Sequence, residues 1–422
     1  MDYSLYIHIP FCRHRCAYCD FNTYAGQEDS IPAYVNALTR EIELVGSSAP
    51  GRLAVHTVFF GGGTPSLLCP RQFRSILDAI RHHFDLADSA EITMEANPGT
   101  VSYDALLDLR ATGINRISFG AQSANHEELR MLERAHTFPD VIRAVAWSRQ
   151  AGFNNLNLDL IYGLPEQGLD TWKRTVNRVL DLHPEHLSAY ALTLEHGTPF
   201  GKWSARGLLP IPDADCAAEM YEWASQAFEQ AGYSQYEISN WARAVAPRPL
   251  RVGSQEAILA CRHNLQYWRC LPYLGLGAGA HSYASGYRYS NVLRIKTYID
   301  RMAGESEFGT GLRSPSGGGA REQKFPLSPA AVNQHRQTVA DDISDFMITG
   351  LRLTGDGVSL RTFQERFQQD LTDVYGNEVN ELTRLGLLEW CNQGAGATGS
   401  SNVLRLTTRG RLLGNQVFIR FV

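Results

Sequence analysis

The chain has 422 residues, 44% hydrophobic and 20% charged, with a net charge of −5. That length accommodates roughly two to three domains, or one barrel with appendages, around a large core. The acidic balance excludes a broad basic surface, so no nucleic-acid partner is expected, although a small buried basic site stays compatible with it. The amino terminus, MDYSLYIHIPFC, lacks a basic segment followed by a long apolar core, and no apolar run reaches the ~20 residues that span a bilayer. A cytoplasmic protein is expected, with peripheral contact at a membrane left open. Eight cysteines are too few for a disulfide scaffold, and clustered cysteines in a reducing compartment more often bind metal or react.

From the start to residue 195 short apolar runs alternate with longer amphipathic stretches. The runs Leu5–Ile9, Val55–Phe60, Ala90–Met94, Arg116–Phe119, Leu156–Ile161 and His186–Leu192 read as buried parallel strands. Ala33–Val45, Arg71–Phe84, Tyr103–Ala111, Asp140–Gln150 and Thr171–Leu182 read as the helices between them. Six strand–helix units in order predict an α/β fold, a partial (β/α)6 barrel or an open sheet, with chemistry at the carboxyl ends of the strands. Asp213–Gly232 reads as one long helix closing a first domain, 1–232. An aromatic and Gly-rich extension, 233–304, looks irregular, and 305–338, rich in Gly, Ser and Pro, reads as a linker. In 339–422, helices at Asp341–Leu353, Leu360–Phe367 and Val374–Leu385 precede a hairpin of Leu387–Trp390 with Val403–Leu406 and a final helix, Thr408–Val417. That order predicts a helical, winged-helix-like module.

Three cysteines, Cys12, Cys16 and Cys19, follow the first strand as C-x3-C-x2-C. Thiolates are soft ligands that suit iron–sulfur clusters or zinc. Structural zinc sites usually take four ligands, commonly as two separated pairs, whereas this loop supplies three. A [4Fe–4S] cube on three thiolates leaves one iron open, unlike the four-cysteine electron carriers. An open iron chelates the amino and carboxylate groups of an amino acid, including the methionine part of S-adenosylmethionine. The alternatives are zinc completed by His8 or His14, or three cysteines without a metal.

The cysteine motif, with Tyr18 immediately before its last cysteine, resembles the radical S-adenosylmethionine superfamily. FFGGGTPS, EANP, ISFGAQS and NLDLIYGLP follow successive strands in the same register. Further matches narrow the resemblance to the oxygen-independent coproporphyrinogen oxidase-like group, and within it to a heme-chaperone branch. The resemblance implies a partial (β/α)6 barrel, a [4Fe–4S] cluster and bound S-adenosylmethionine. It implies that Gly62, Gly63 and Thr64 meet the methionyl amino group, that Glu95 and Gln122 contact the cofactor, that Arg134 clamps its carboxylate and that Asp159 faces ribose hydroxyls. Tyr6 and His8, alternating to one face of the first strand, match residues near the sulfonium, with an ordinary core role as the alternative.

The superfamily signature leaves the substrate open. The oxidases carry a further cysteine as C-x-C, whereas Phe21 stands at that position; YEISNWAR, HNLQYW and YLGLGAGAHS resemble segments of the chaperone branch. Imidazole is a standard axial heme ligand, which makes His263 of HNLQYW the heme-ligand candidate and His281 the second. The competing reading has His263 and Asn264 hydrogen-bonded beside the barrel; Cys261 and Cys270 flanking a metal with His263 is a third. Ala244–Cys261, a Pro-rich insertion relative to the group, reads as a surface loop. The resemblance implies binding of heme as cargo and delivery to an acceptor protein, such as a respiratory membrane enzyme, with a homodimer as one route. The rivals are oxidative decarboxylation of coproporphyrinogen III to protoporphyrinogen IX and a methyl- or radical-transfer enzyme on an unrelated substrate.

Overall fold

The computed structural model describes residues 2–243, 259–304, 324–393 and 401–422. Six strands, β1 (Tyr3–Ile9), β2 (Ala54–Gly62), β3 (Asp85–Ala96), β4 (Arg116–Gln122), β5 (Leu156–Tyr162) and β6 (His186–Ala191), run parallel in sequence order. They are not apolar on both faces, as fully buried parallel strands would be. One face carries Leu5, Ile7, Val58, Phe60, Met94, Ile117, Phe119, Leu158, Leu160 and Leu187, all buried in one core. That face is covered by α1 (Ile31–Ser48), α2 (Pro70–His83), α3 (Tyr103–Thr112), α5 (Phe138–Gln150) and α6 (Leu169–Leu180), while α4 (His126–Met131) sits in the loop after β4. The opposite, inward face is polar. Ladder neighbours there are Tyr6, Phe59, Thr93 and Arg116, then Glu95, Ser118, Asn157 and His186, then Asp159 and Ser188.

After α7 (Pro199–Ala205) and α8 (Ala214–Gln230), the extension is regular rather than irregular. The hairpin β7 (Tyr233–Glu237) and β8 (Asn240–Arg243) adds antiparallel to β6. Beyond α9 (Arg262–Trp268), β9 (Tyr273–Leu276) adds parallel to β1 as a seventh parallel strand. β10 (His281–Ala284), β11 (Tyr287–Asn291) and, beyond α10 (Ile295–Ala303), β12 (Ala331–Arg336) then extend that edge antiparallel. The sheet order is β12-β11-β10-β9-β1-β2-β3-β4-β5-β6-β8-β7. These strands span only four to six residues, too short for an alternating pattern to stand out.

Two boundaries need correction. Residues 305–323 of the expected linker lie outside the described set, but 324–338 is not a linker: Ser328 is buried and β12 is a sheet strand. Of the 244–261 insertion, 244–258 lies outside the described residues, while Ala260 and Cys261 are buried rather than on a surface loop. The carboxyl-terminal module holds α11 (Val339–Gly350), α12 (Leu360–Phe367) and α13 (Leu371–Arg384). It also holds a three-stranded antiparallel sheet of β13 (Val358–Ser359), β15 (Ser401–Leu406) and β14 (Leu388–Gln393). The expected last helix is two short ones, Thr408–Leu412 and Gly414–Phe418, broken at Leu413 beside a helix-weakening glycine. The module's core includes Cys270 and Tyr283 of the extension, so it packs directly on the barrel's added edge.

That edge is tied to the barrel by one buried carboxylate. Glu41 of α1 accepts hydrogen bonds from Gly277 N–H (2.7 Å), Asn291 Nδ2 (2.8 Å), Tyr298 Oη (2.6 Å) and Ser328 Oγ (2.6 Å). Removing it strands several buried donors at once, each worth about 1–3 kcal/mol. Glu41→Ala is expected to lower stability by about 2–4 kcal/mol, read as a fall in the urea midpoint; an unchanged midpoint would show that the extension is anchored elsewhere.

Candidate metal centre and neighbouring cavity

β1 runs into Phe11–Cys12, which pairs in parallel with Tyr24–Ala25 and so closes the cysteine loop at its base. Inside the loop, Cys19 N–H donates to Cys16 O at 3.1 Å. Thr64 Oγ1 donates to Cys12 Sγ at 3.5 Å, and Arg134 Nη1 to Cys16 Sγ at 3.7 Å. Burial pushes the Cys12 and Cys19 thiols up, and the neighbouring sulfurs push the same way. A metal core binds cysteine sulfurs as thiolates, so a positively charged centre at this loop would offset the cost that burial sets on ionising Cys12 and Cys19. Among the described residues no three His, Cys, Asp or Glu side chains gather tightly enough for a single ion; a cube instead spreads its thiolates over three corners. His8 and His14 do not complete a zinc site. His8 Nε2 donates to Asn22 O at 2.9 Å and its Nδ1 accepts from Tyr6 Oη at 3.0 Å, while His14 is paired with Glu133 at 3.0 Å. Burial lowers His8 to about 4, which keeps it neutral in that arrangement.

The residues expected around the cofactor converge on the carboxyl ends of β2 to β4. Gly62 adopts φ 108°, and a Cβ there would lie 2.3 Å from the His8 ring. At Gly63 a Cβ would lie 2.6 Å from Phe11 O, so both positions need glycine. Gly62 N–H donates to Glu95 Oε2 at 3.0 Å. Gln122 ends β4 with φ 64° after a register irregularity, a strained conformation for a residue with a side chain. Arg134 Nη2 donates to Gly120 O at 3.0 Å, and the Gln122 amide and Arg134 guanidinium both lie against Gly120. Arg134 Nε is buried with no partner among the described residues, an unspent donor that fits a carboxylate-bearing ligand. Asp159 sits mid-strand rather than at the rim, accepting from Ser118 Oγ and Asn157 Nδ2, each at 2.8 Å. The ribose contact that the resemblance implied for Asp159 would thus have to be made from within this network.

The expectation that His263 offers a ligand to heme is corrected by its surroundings. His263 is 1% exposed, with Nδ1 on Thr57 Oγ1 at 2.8 Å and Nε2 on Tyr267 Oη at 2.9 Å. Its ring stacks on Phe59 at 5.1 Å, and burial lowers it to about 3, so it stays neutral. The first turn of α9 is capped from outside: Glu91 accepts from the N–H groups of Arg262 and His263, each at 3.1 Å, and from Cys261 Sγ at 3.4 Å. Cys261, thus committed, and Cys270, whose sulfur accepts from Arg366 at 3.8 Å, do not gather with His263 around a metal. HNLQYW is the plug of the barrel's amino-terminal end. His263 and Asn264 are hydrogen-bonded, as the competing reading had it, but in a helix that enters the barrel rather than in a loop beside it.

A cavity of about 620 Å³ lies on the other side of β1. Tyr6 and His8, the cysteine-loop residues Asp20, Phe21 and Asn22, and the edge residues Tyr273, His281, Tyr283 and Arg288 line it; Thr349 of the carboxyl-terminal module closes one side. Sequence reasoning missed Asn22, Glu91, Arg116 and Tyr267. Arg116, opening an otherwise apolar run, was the readable signal. It also missed α4, which leads into Arg134 and was signalled by Asn125 as a cap followed by Glu127 and Glu128.

A parallel α/β sheet with three cysteines after its first strand and a Gly-rich turn after its second defines the radical S-adenosylmethionine class. The radical SAM superfamily model matches residues 6–179, and the HemN C-terminal domain model matches residues 337–413. The chain is 36% identical to the heme chaperone HemW of Bacillus subtilis, with 99% of each chain covered. It is 42% identical to that of Escherichia coli over 66% of this chain and 69% of the relative. The chain belongs to the heme chaperone HemW family. The fold is also that of the solved Escherichia coli coproporphyrinogen III oxidase HemN, a radical SAM enzyme, with a TM-score of 0.77 at 23% identity, covering 100% of this chain and 90% of that one. Family membership implies a [4Fe–4S] cluster and S-adenosylmethionine.

Glu95 gives this site a pH signature. Burial and the charge of Asp159 raise its carboxyl from an ordinary 4.5 to about 7. Because the folded value is the higher one, its stabilising share is complete below 4.5 and is lost as pH climbs through about 7. Without added S-adenosylmethionine, Glu95→Gln should stabilise the protein by about 1–3 kcal/mol at pH 8 and much less at pH 5. Urea unfolding at both pH values checks this, and an equal gain at both would contradict it.

Proposed function

We propose that this chain binds heme in the cavity beside β1 and transfers it to an acceptor protein, with a cluster on Cys12, Cys16 and Cys19 in the loop that also borders that cavity. The observation that carries the reading is the shared wall: Tyr6 and His8 face the cavity, while the His8 ring packs on Gly62 of the cofactor turn. The aromatic lining of Tyr267, Trp268, Tyr273 and Tyr283 suits a flat macrocycle, and concave, largely aromatic pockets are the usual small-molecule sites. The relatives' name, heme chaperone, supports the same cargo.

In this reading Gly62, Gly63 and Thr64 offer backbone and hydroxyl groups to the methionyl amine, and Arg134 takes its carboxylate. Glu95 and Gln122 line the adjoining rim, and Asp159 reaches the ribose side through its network. When bound, the cluster supplies an open iron for chelation and an electron source for the sulfonium. The chain's own residues exclude water and fix orientation: Tyr6 stays protonated, its phenol pushed up by burial and by Glu95, and donates to neutral His8. Neither is placed as an acid for substrate decarboxylation, since His8 has both nitrogens engaged.

The test is anaerobic reconstitution followed by two assays. With coproporphyrinogen III, S-adenosylmethionine and reductant, no protoporphyrinogen should form, and heme titration should saturate at one equivalent in the Soret band. Cys16→Ala should abolish the broad iron–sulfur absorption. Protoporphyrinogen formation would replace the carrier reading by the dehydrogenase one, and iron content unchanged in Cys16→Ala would remove the three-cysteine assignment.

A further inference from the structure

We propose that His281, and not His263, is the axial ligand to the iron of the cargo heme, with Arg288 facing the macrocycle's carboxylates; this rests on the heme-carrier reading above. The cavity brings three histidine questions into one place. His263 lies behind Tyr6 and Tyr267, buried, with both ring nitrogens bonded to Thr57 and Tyr267. His8 reaches the cavity, but its nitrogens are taken by Tyr6 and Asn22. His281 is exposed at the opening of β10, lines the cavity, and has no ring hydrogen bond among the described residues. It alone of the three presents an unspent imidazole nitrogen to the space.

The strand geometry explains the placement. Side chains two apart on a strand share a face, so His281 and Tyr283 point to the same side. Tyr283 is paired across the ladder with Arg288 of β11 and with Tyr273 of β9. The Arg288 guanidinium lies 4.7 Å from the Tyr283 ring centroid and is held by Asp345 at 2.7 Å. A guanidinium carries five donors in a planar fork, which leaves some for a carboxylate after the contact with Asp345. The cysteine loop contributes the Phe21 ring on the facing side, 64% exposed. The space therefore combines an imidazole nitrogen, aromatic faces and a cation at one edge, which is the chemistry of a metalloporphyrin bearing carboxylates.

Heme and metal-free protoporphyrin IX titrations of the cluster-reconstituted full chain separate the roles. His281→Ala should weaken heme binding about tenfold or more and remove the imidazole-ligated visible bands, and added imidazole should restore those bands. The same variant should bind metal-free protoporphyrin IX as the unmutated chain does, because that ligand has no iron to coordinate. Arg288→Gln should weaken both ligands. His263→Gln should lower the melting temperature while its folded fraction keeps the heme bands. Wild-type affinity and bands in His281→Ala, or loss of the bands in folded His263→Gln, would overturn the assignment and leave the carrier reading standing. Failure of the unmutated chain to bind heme at all would overturn both.

Discussion

A parallel sheet with one polar face has to hand that face partners, and the rest of this structure follows from how it does so. Glu91, Asn157 and His186 are all buried on the inner side of the strands. Leaving such groups unpaired would cost several kcal/mol each. The chain meets the demand with α9, which enters the amino-terminal end of the barrel and places its first N–H groups on Glu91 and its histidine on Thr57. From there a hydrogen-bond path runs through Asn264, Tyr236, His186 and Asn157 to Asp159. His186 is held neutral by burial along that path. The plug and Asp159, in the middle of β5, are thus two ends of one polar network.

The same alternation sets the two working surfaces side by side along one face of β1. Tyr6 and His8 are two residues apart on β1, so they share a face, and between them they touch the glycine turn, the cysteine loop and the cavity. Glycine at 62 is what lets the turn approach the His8 ring. The carboxyl-terminal module matters to the cavity as well, because Thr349 and the Asp345 partner of Arg288 both belong to α11.

Much of this was legible in the sequence. The six strands and their helices follow from apolar runs and amphipathic spacing, and the cysteine motif and glycine turn stand out after the first two strands. Glu95, Gln122 and Arg134 were singled out by resemblance to the superfamily rather than by any local pattern. The polar face was less visible, because runs such as LNLDLIY read as apolar while Asn157 and Asp159 take every second position. The short strands between 273 and 336 were hidden by glycine and aromatic content. Their identity is set by long-range partners such as Glu41, which no local pattern reports. His263 misled for a related reason. An imidazole between aromatics has the same signature whether it faces a ligand or is stacked and bonded within a core, and only the positions of Thr57 and Tyr267 distinguish the two. Arg116, a cation opening an apolar strand, was the one local hint that the inner face is polar.

Crystals of the chain loaded with both cluster and heme, examined by anomalous scattering at the iron edge, address the arrangement as a whole. Two separate iron positions should appear, one capped by Cys12, Cys16 and Cys19 and one in the cavity beside His281, with none against His263. Iron bound at His263, with α9 withdrawn from Glu91 and Thr57, would contradict the plug and the division of the molecule built on it.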